Sequence, residues 1–105
     1  MDIREKKFLV VGTGKSGIAA TELLQKEQIA VRLYDSNENL NKQAFYEKNP
    51  DLSDVALITG TLPEEEMQNT DILVLSPGVP TDLPMVDTMR EMGIAIWGEI
   101  ELAYA

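Results

Sequence analysis

Phe8-Leu9-Val10-Val11-Gly12-Thr13-Gly14-Lys15-Ser16-Gly17 decides how this chain folds. Four consecutive apolar residues, two of them β-branched, stop at a glycine, as a short buried strand does. Beyond the glycines, Ile18, Ala19, Ala20, Leu23 and Leu24 recur at helical spacing as far as Lys26. Ala30-Val31-Arg32-Leu33-Tyr34 then reads as a second strand, closed by Asp35. Strand, tight turn, helix and strand within about 30 residues make one βαβ unit.

The same alternation continues outward. Residues 36–54 are polar, with Asn at 37, 39, 41 and 49, and a short helix over Lys42–Lys48 is held by Phe45. Val55-Ala56-Leu57-Ile58-Thr59 reads as a third strand. Thr61-Leu62-Pro63-Glu64 offers an N-cap, an early proline and a glutamate at the third helical position, so a helix is expected from there. Ile72-Leu73-Val74-Leu75 is the fourth strand and opens onto Ser76-Pro77-Gly78-Val79-Pro80. Asp82-Leu83-Pro84 begins a helix whose core face is Met85, Val86, Met89 and Met92, ending at Gly93. Ile94-Ala95-Ile96-Trp97 is the fifth strand, and Glu99 to Tyr104 start a helix that the chain end leaves unfinished.

Continuous apolar strands alternating with helices are what a sheet covered on both faces requires. Right-handed crossovers give such a sheet an open, doubly wound form. The expectation is an α/β, Rossmann-like domain over residues 1–105, with five mainly parallel strands. No linker interrupts it, and the chain reads as the N-terminal piece of a longer protein.

Composition narrows the chemistry. The chain has 105 residues, 18 acidic and 9 basic, for a formal net charge of −9. No Lys/Arg cluster exists to neutralise a nucleic-acid backbone. No apolar run approaches the ~18 residues that span a bilayer. With no Cys and no His, Cys-nucleophile, Ser-His-Asp and the common zinc chemistries are excluded from this chain. Absence of disulfides suits a reducing cytoplasm.

Gly12-x-Gly14-x-x-Gly17 lies where a nucleotide-binding turn belongs. The first glycine permits the tight turn, Gly14 leaves room for a pyrophosphate, and Gly17 lets the helix pack on the strand. Free N–H groups at the helix start then face the anion. Asp35 stands at the spacing of a carboxylate that accepts from a ribose or a base. Gly14-Lys15-Ser16 looks like the end of a Walker A loop, but the glycine that loop needs five positions earlier is Leu9. Lys15 is then an exposed charge beside the phosphate site. On these grounds alone a nicotinamide or flavin dinucleotide fits, with Asp35 favouring NAD over NADP because a carboxylate repels a 2′-phosphate. The glycines by themselves also fit a plain βα turn, as does Ser76-Pro77-Gly78. Glu64-Glu65-Glu66 reads as a solvated helix start favoured by the dipole, and Glu99 and Glu101 as structural or domain-facing.

Three stretches together resemble one family. The Val-Val-Gly12-Thr-Gly14-Lys-Ser16-Gly17 turn, the Leu-Ser76-Pro77-Gly78-Val-Pro loop and the terminal Trp-Gly98-Glu99-Ile100-Glu101-Leu102 resemble the N-terminal domain of the Mur ligases, in their D-glutamate-adding, MurD-type branch. The resemblance covers essentially the whole chain. It implies a Rossmann-like domain that holds the UDP part of UDP-N-acetylmuramoyl-L-alanine rather than NAD. The turn itself fits both, since both present a pyrophosphate. By matching position, Gly14, Lys15, Ser16 and Gly17 meet the pyrophosphate, Asp35 and Ser36 recognise uracil, and Asn37 borders it. Ser76, Pro77 and Gly78 form a wall. Some family members carry Arg where Asn37 stands. The resemblance further implies a cytoplasmic, monomeric ligase of peptidoglycan synthesis, and so of cell shape and division. Its ATP and Mg²⁺ would be bound by a central domain and its amino acid by a C-terminal one, with no catalytic group, cofactor or metal in this chain. The remaining alternative is the NAD-binding domain of a dehydrogenase or redox-sensing regulator.

Overall fold

A computed structural model describes residues 5–76 and 84–98. Five strands form one sheet: β1 (Phe8–Val11), β2 (Val31–Asp35), β3 (Leu57–Thr59), β4 (Ile72–Leu75) and β5 (Ala95–Gly98). Their order is β3-β2-β1-β4-β5, and every neighbouring pair is parallel. The helices between them are α1 (Lys15–Lys26), α2 (Lys42–Lys48), α3 (Glu64–Gln68) and α4 (Pro84–Glu91). This is the doubly wound, Rossmann-like α/β architecture that the sequence predicts.

Successive strand residues point to opposite faces, and both faces are covered. Phe8, Val10, Leu33, Leu57, Ile72 and Val74 share one core with Ala20 and Leu24 of α1 and Phe45 of α2. Leu9, Val11, Tyr34, Leu73 and Leu75 share the other with Leu62 and with Val86 and Met89 of α4. That is why the strands read as unbroken apolar runs. α1 ends with Gln28 in the left-handed region, φ 61°. Asn41 caps α2 by accepting from the Ala44 N–H at 3.0 Å, and Phe45 is buried beneath it as expected.

Several details differ from the sequence reading. β3 starts at Leu57 rather than Val55. α3 starts at Glu64 with Pro63 as its N-cap residue, and Thr61 makes no cap. Pro63, at φ −63° and ψ 145°, is extended, so the helix cannot begin before it. Met92 lies beyond the end of α4 and is 41% exposed, so the core face is Val86 and Met89, with Met85 packed at its margin. Glu66 is not merely solvated: Arg32 donates to its carboxylate, to its carbonyl and to Thr70 Oγ1. Pro77, Gly78, the Asp82-Leu83 cap and the helix from Glu99, with Glu101, lie outside the described residues. Among the described residues no helix is long and apolar enough to cross a membrane.

Candidate functional site

The strand order reverses at β1, whose neighbours β2 and β4 are reached by connections on opposite faces. Such switch points leave a crevice at the carboxyl ends of the strands. The register fixes what borders it. Val11 pairs with Tyr34 on one side and with Leu75 on the other. One residue further along each strand stand Gly12, Asp35 and Ser76, level across three adjacent strands. The Gly12 N–H donates to the Tyr34 carbonyl at 2.7 Å, and the Ser76 N–H to the Val11 carbonyl at 3.3 Å, holding that alignment.

Each glycine of the turn has its own reason. Gly12 takes φ 107°, a conformation that other residues rarely adopt, and so makes the turn possible. A Cβ on Gly17 would lie 2.0 Å from the Gly12 carbonyl oxygen and 3.0 Å from Ser76 Oγ, so α1 seats itself on the strands only because that atom is missing. Gly14, at φ −74°, is unstrained and could carry a side chain as far as its backbone is concerned. A Cβ there would meet nothing within 4 Å among the described residues, so open space adjoins this glycine and neither strain nor crowding requires it.

That space lies over the start of α1. Gly14 is the N-cap residue and supplies no side-chain cap. The first helical bond runs from the Ile18 N–H to the Gly14 carbonyl at 3.0 Å, so the N–H groups of Lys15, Ser16 and Gly17 have no intrahelical acceptor. Lys15 is exposed and Ser16 half-buried. Together they offer an anion several N–H donors, the helix dipole and one ammonium.

Asp35 faces this turn from the end of β2. Its Oδ2 accepts from Thr13 Oγ1 at 2.6 Å, and its Oδ1 from the Asn37 N–H at 2.8 Å. Ser36 and Asn37 are exposed beside it. The Asn37 Oδ1 accepts from the Asn39 N–H at 3.0 Å, which turns that side chain towards its own loop. The Gly60 N–H bonds to the Asp35 carbonyl at 3.0 Å, and the Tyr34 hydroxyl donates to the Gly60 carbonyl. Burial raises the Tyr34 phenol pKa above its ordinary value, and the neighbouring Asp35 charge raises it further.

Across the crevice, Ser76 Oγ is buried without a hydrogen-bond partner among the described residues. A buried hydroxyl without a partner costs free energy and calls for an explanation. Thus Gly14, Lys15, Ser16, Gly17, Asp35, Ser36, Asn37 and Ser76 converge on one end of the sheet. Thr13 belongs with them, and the sequence reading passed over it. The available signal was its place two residues past β1, next to Gly12, which the register sets level with Asp35 at the end of β2.

An all-parallel doubly wound sheet with a glycine turn and an acceptor carboxylate at its switch point defines a Rossmann-like type of domain. The family described as "Mur ligase MurD-like, N-terminal domain" matches residues 6–98, and the chain belongs to that family. A relative from Lachnospira eligens, named UDP-N-acetylmuramoylalanine--D-glutamate ligase, is 48% identical over 99% of this chain and 23% of its own length. Relatives of the same name from Lachnoclostridium phytofermentans and Koribacter versatilis are 48% and 41% identical. The chain therefore spans less than a quarter of the length of the curated relatives it matches. A solved lactate dehydrogenase from Eimeria maxima covers 80% of this chain, and 26% of its own, at 18% identity and TM-score 0.46. That likeness is too slight to bear on function.

Proposed function

We propose that this domain holds the uridine diphosphate half of UDP-N-acetylmuramoyl-L-alanine for an ATP-dependent ligase that joins D-glutamate to it in peptidoglycan synthesis. The carrying observation is the uncapped start of α1, with nothing within 4 Å of a Cβ at Gly14 among the described residues and the Asp35 carboxylate tied to the same turn through Thr13. Family membership and the relatives' names give the ligand its class.

In this reading the pyrophosphate accepts from the N–H groups of Lys15, Ser16 and Gly17, and the Lys15 ammonium adds charge. The Asp35 carboxylate, an acceptor only, takes the ring N3–H of uracil. Cytosine, whose N3 is an acceptor, is rejected. Ser36 and Asn37 flank the base, and Ser76 borders the crevice. The reaction itself belongs to the rest of the ligase. ATP phosphorylates the substrate carboxylate, and the D-glutamate amine displaces phosphate to form the amide. Its nucleotide loop, Mg²⁺ ligands and amino-acid site are assigned to other domains of the parent chain, which acts as a cytoplasmic monomer.

Calorimetric titration with UDP-N-acetylmuramoyl-L-alanine, UDP and NAD tests the reading. Both uridine ligands are expected to bind more tightly than NAD. Tighter binding of NAD than of both would replace the proposal with a dehydrogenase-type domain.

A further inference from the structure

The turn that faces the anion and the carboxylate that faces the base are joined by one side chain. Thr13 stands between Gly12 and Gly14, and its hydroxyl reaches 22 positions along the chain to Asp35 Oδ2, at 2.6 Å. The other oxygen, Oδ1, is held by the Asn37 N–H at 2.8 Å. No cation pairs with Asp35 among the described residues. A carboxylate without such bonds turns freely about its terminal torsion, which is broad and roughly two-fold. Two donors at fixed directions remove that freedom. Thr13 suits the task because its β-branched side chain is restricted about the first torsion, and because Gly12, at φ 107°, fixes the direction from which it leaves the backbone. An ionised carboxylate has about four acceptor positions. With one on each oxygen occupied, the remaining two are held in a set plane.

We propose that Thr13 is a positioning residue that sets the plane of the Asp35 carboxylate, and thereby the preference of the site for a base with a ring N–H donor. This rests on the reading of Asp35 as the partner of the uracil N3–H. Thr13 touches the ligand only through Asp35. The same bond couples the two halves of the site, because movement of the glycine turn on anion binding moves the acceptor that meets the base.

The test compares the wild-type chain with Thr13→Val, which removes the hydroxyl at nearly constant shape, and Thr13→Ser, which keeps it. The first readout needs no ligand: the NMR coupling across the hydrogen bond between the Asn37 amide nitrogen and the Asp35 side-chain carboxyl carbon. It is expected to be lost in Thr13→Val and kept in Thr13→Ser. The second is the ratio of affinities for UDP and for UDP methylated at N3, which lacks the donor. Wild type should prefer UDP by about tenfold, the size of one hydrogen bond to a charged group. The preference should fall towards one in Thr13→Val and return in Thr13→Ser. An Asn37 coupling unchanged in Thr13→Val overturns the positioning role whatever the ligand does. Equal loss of both ligands at constant ratio also overturns it, since that is the result of a structural role alone. If the coupling behaves as expected but wild type binds the two ligands equally, the positioning of Asp35 stands and the uracil assignment of the proposed function fails.

Discussion

At the amino end of the sheet Arg32 donates to the Glu66 carboxylate and carbonyl, to the Asn69 carbonyl and to Thr70 Oγ1. Beside it the Lys7 N–H bonds to Asp71 Oδ2, while the Lys7 carbonyl accepts from Asp71 and Ile72. At the carboxyl end, among the described residues, one helix start has no side-chain cap, nothing lies within 4 Å of a Cβ at Gly14, and one buried hydroxyl has no partner. An open cleft lies at the amino end, lined by Lys7, Ala30, Val31, Arg32, Glu66 and Asn69. Concavity therefore does not single out the carboxyl end. What distinguishes them is whether the polar groups are already satisfied. The amino end spends its hydrogen bonds on holding strands and α3 together, whereas at the carboxyl end the N–H groups that open α1 have no intrahelical acceptor.

The sharpest way to break this contrast lies inside one turn. Gly17→Val forces side-chain atoms into the Gly12 carbonyl, and is expected to cost about 3 kcal/mol or more, read as a large fall in the urea midpoint. Gly14→Val enters open space at a permitted φ and should change stability by less than about 1 kcal/mol. It should nevertheless abolish UDP binding, because its methyl groups fill the volume a pyrophosphate needs. Intact UDP binding by a folded Gly14→Val protein would place the phosphates elsewhere.

Asp35→Ala is expected to weaken UDP binding by about 1.5–3 kcal/mol, the range for a hydrogen bond to a charged group. The loss should be the same for UDP and 2′-deoxy-UDP. A mutant effect that disappears with 2′-deoxy-UDP would show that the carboxylate reads ribose. At the other end, Arg32→Met should leave UDP affinity unchanged and lower stability by about 1–2 kcal/mol, a partly buried ion pair and its hydrogen bonds being worth less than fully buried ones. Weakened UDP binding in that mutant would erase the division between the ends.

The smallest effect concerns Tyr34. Its folded-state pKa is raised above the unfolded value of 10.0. Below pH 10 both states keep the proton and the group adds no pH dependence. Above it, the unfolded chain ionises first, so it binds fewer protons than the folded chain and stability falls as pH rises. Chemical denaturation between pH 8 and 11 should show that fall, and Tyr34→Phe should flatten it.

The sheet was legible because strands buried on both faces print as unbroken apolar runs such as Phe8–Val11 and Ile72–Leu75. The glycine turn was legible because Gly12 needs a positive φ and Gly17 a missing Cβ, at the spacing that also leaves Gly14 open. Other features were not. Thr61 carries the residue type of a cap, but the extended Pro63 delays the helix beyond its reach. Met92 continues the helical spacing of Met85 and Met89, yet α4 ends at Glu91. Glu66 read as solvated because its partner Arg32 is 34 residues away. The Thr13–Asp35 bond joins residues 22 apart, through a register that emerges only when β1 and β2 are paired.

Amide NMR during a UDP titration tests the central claim most directly. Saturable shifts are expected at Gly14–Gly17 and Asp35–Asn37, with the amides of Lys7, Arg32 and Asn69 unmoved. Shifts centred on Lys7, Arg32 and Asn69, or none at Gly14–Gly17 at saturating UDP, would contradict it.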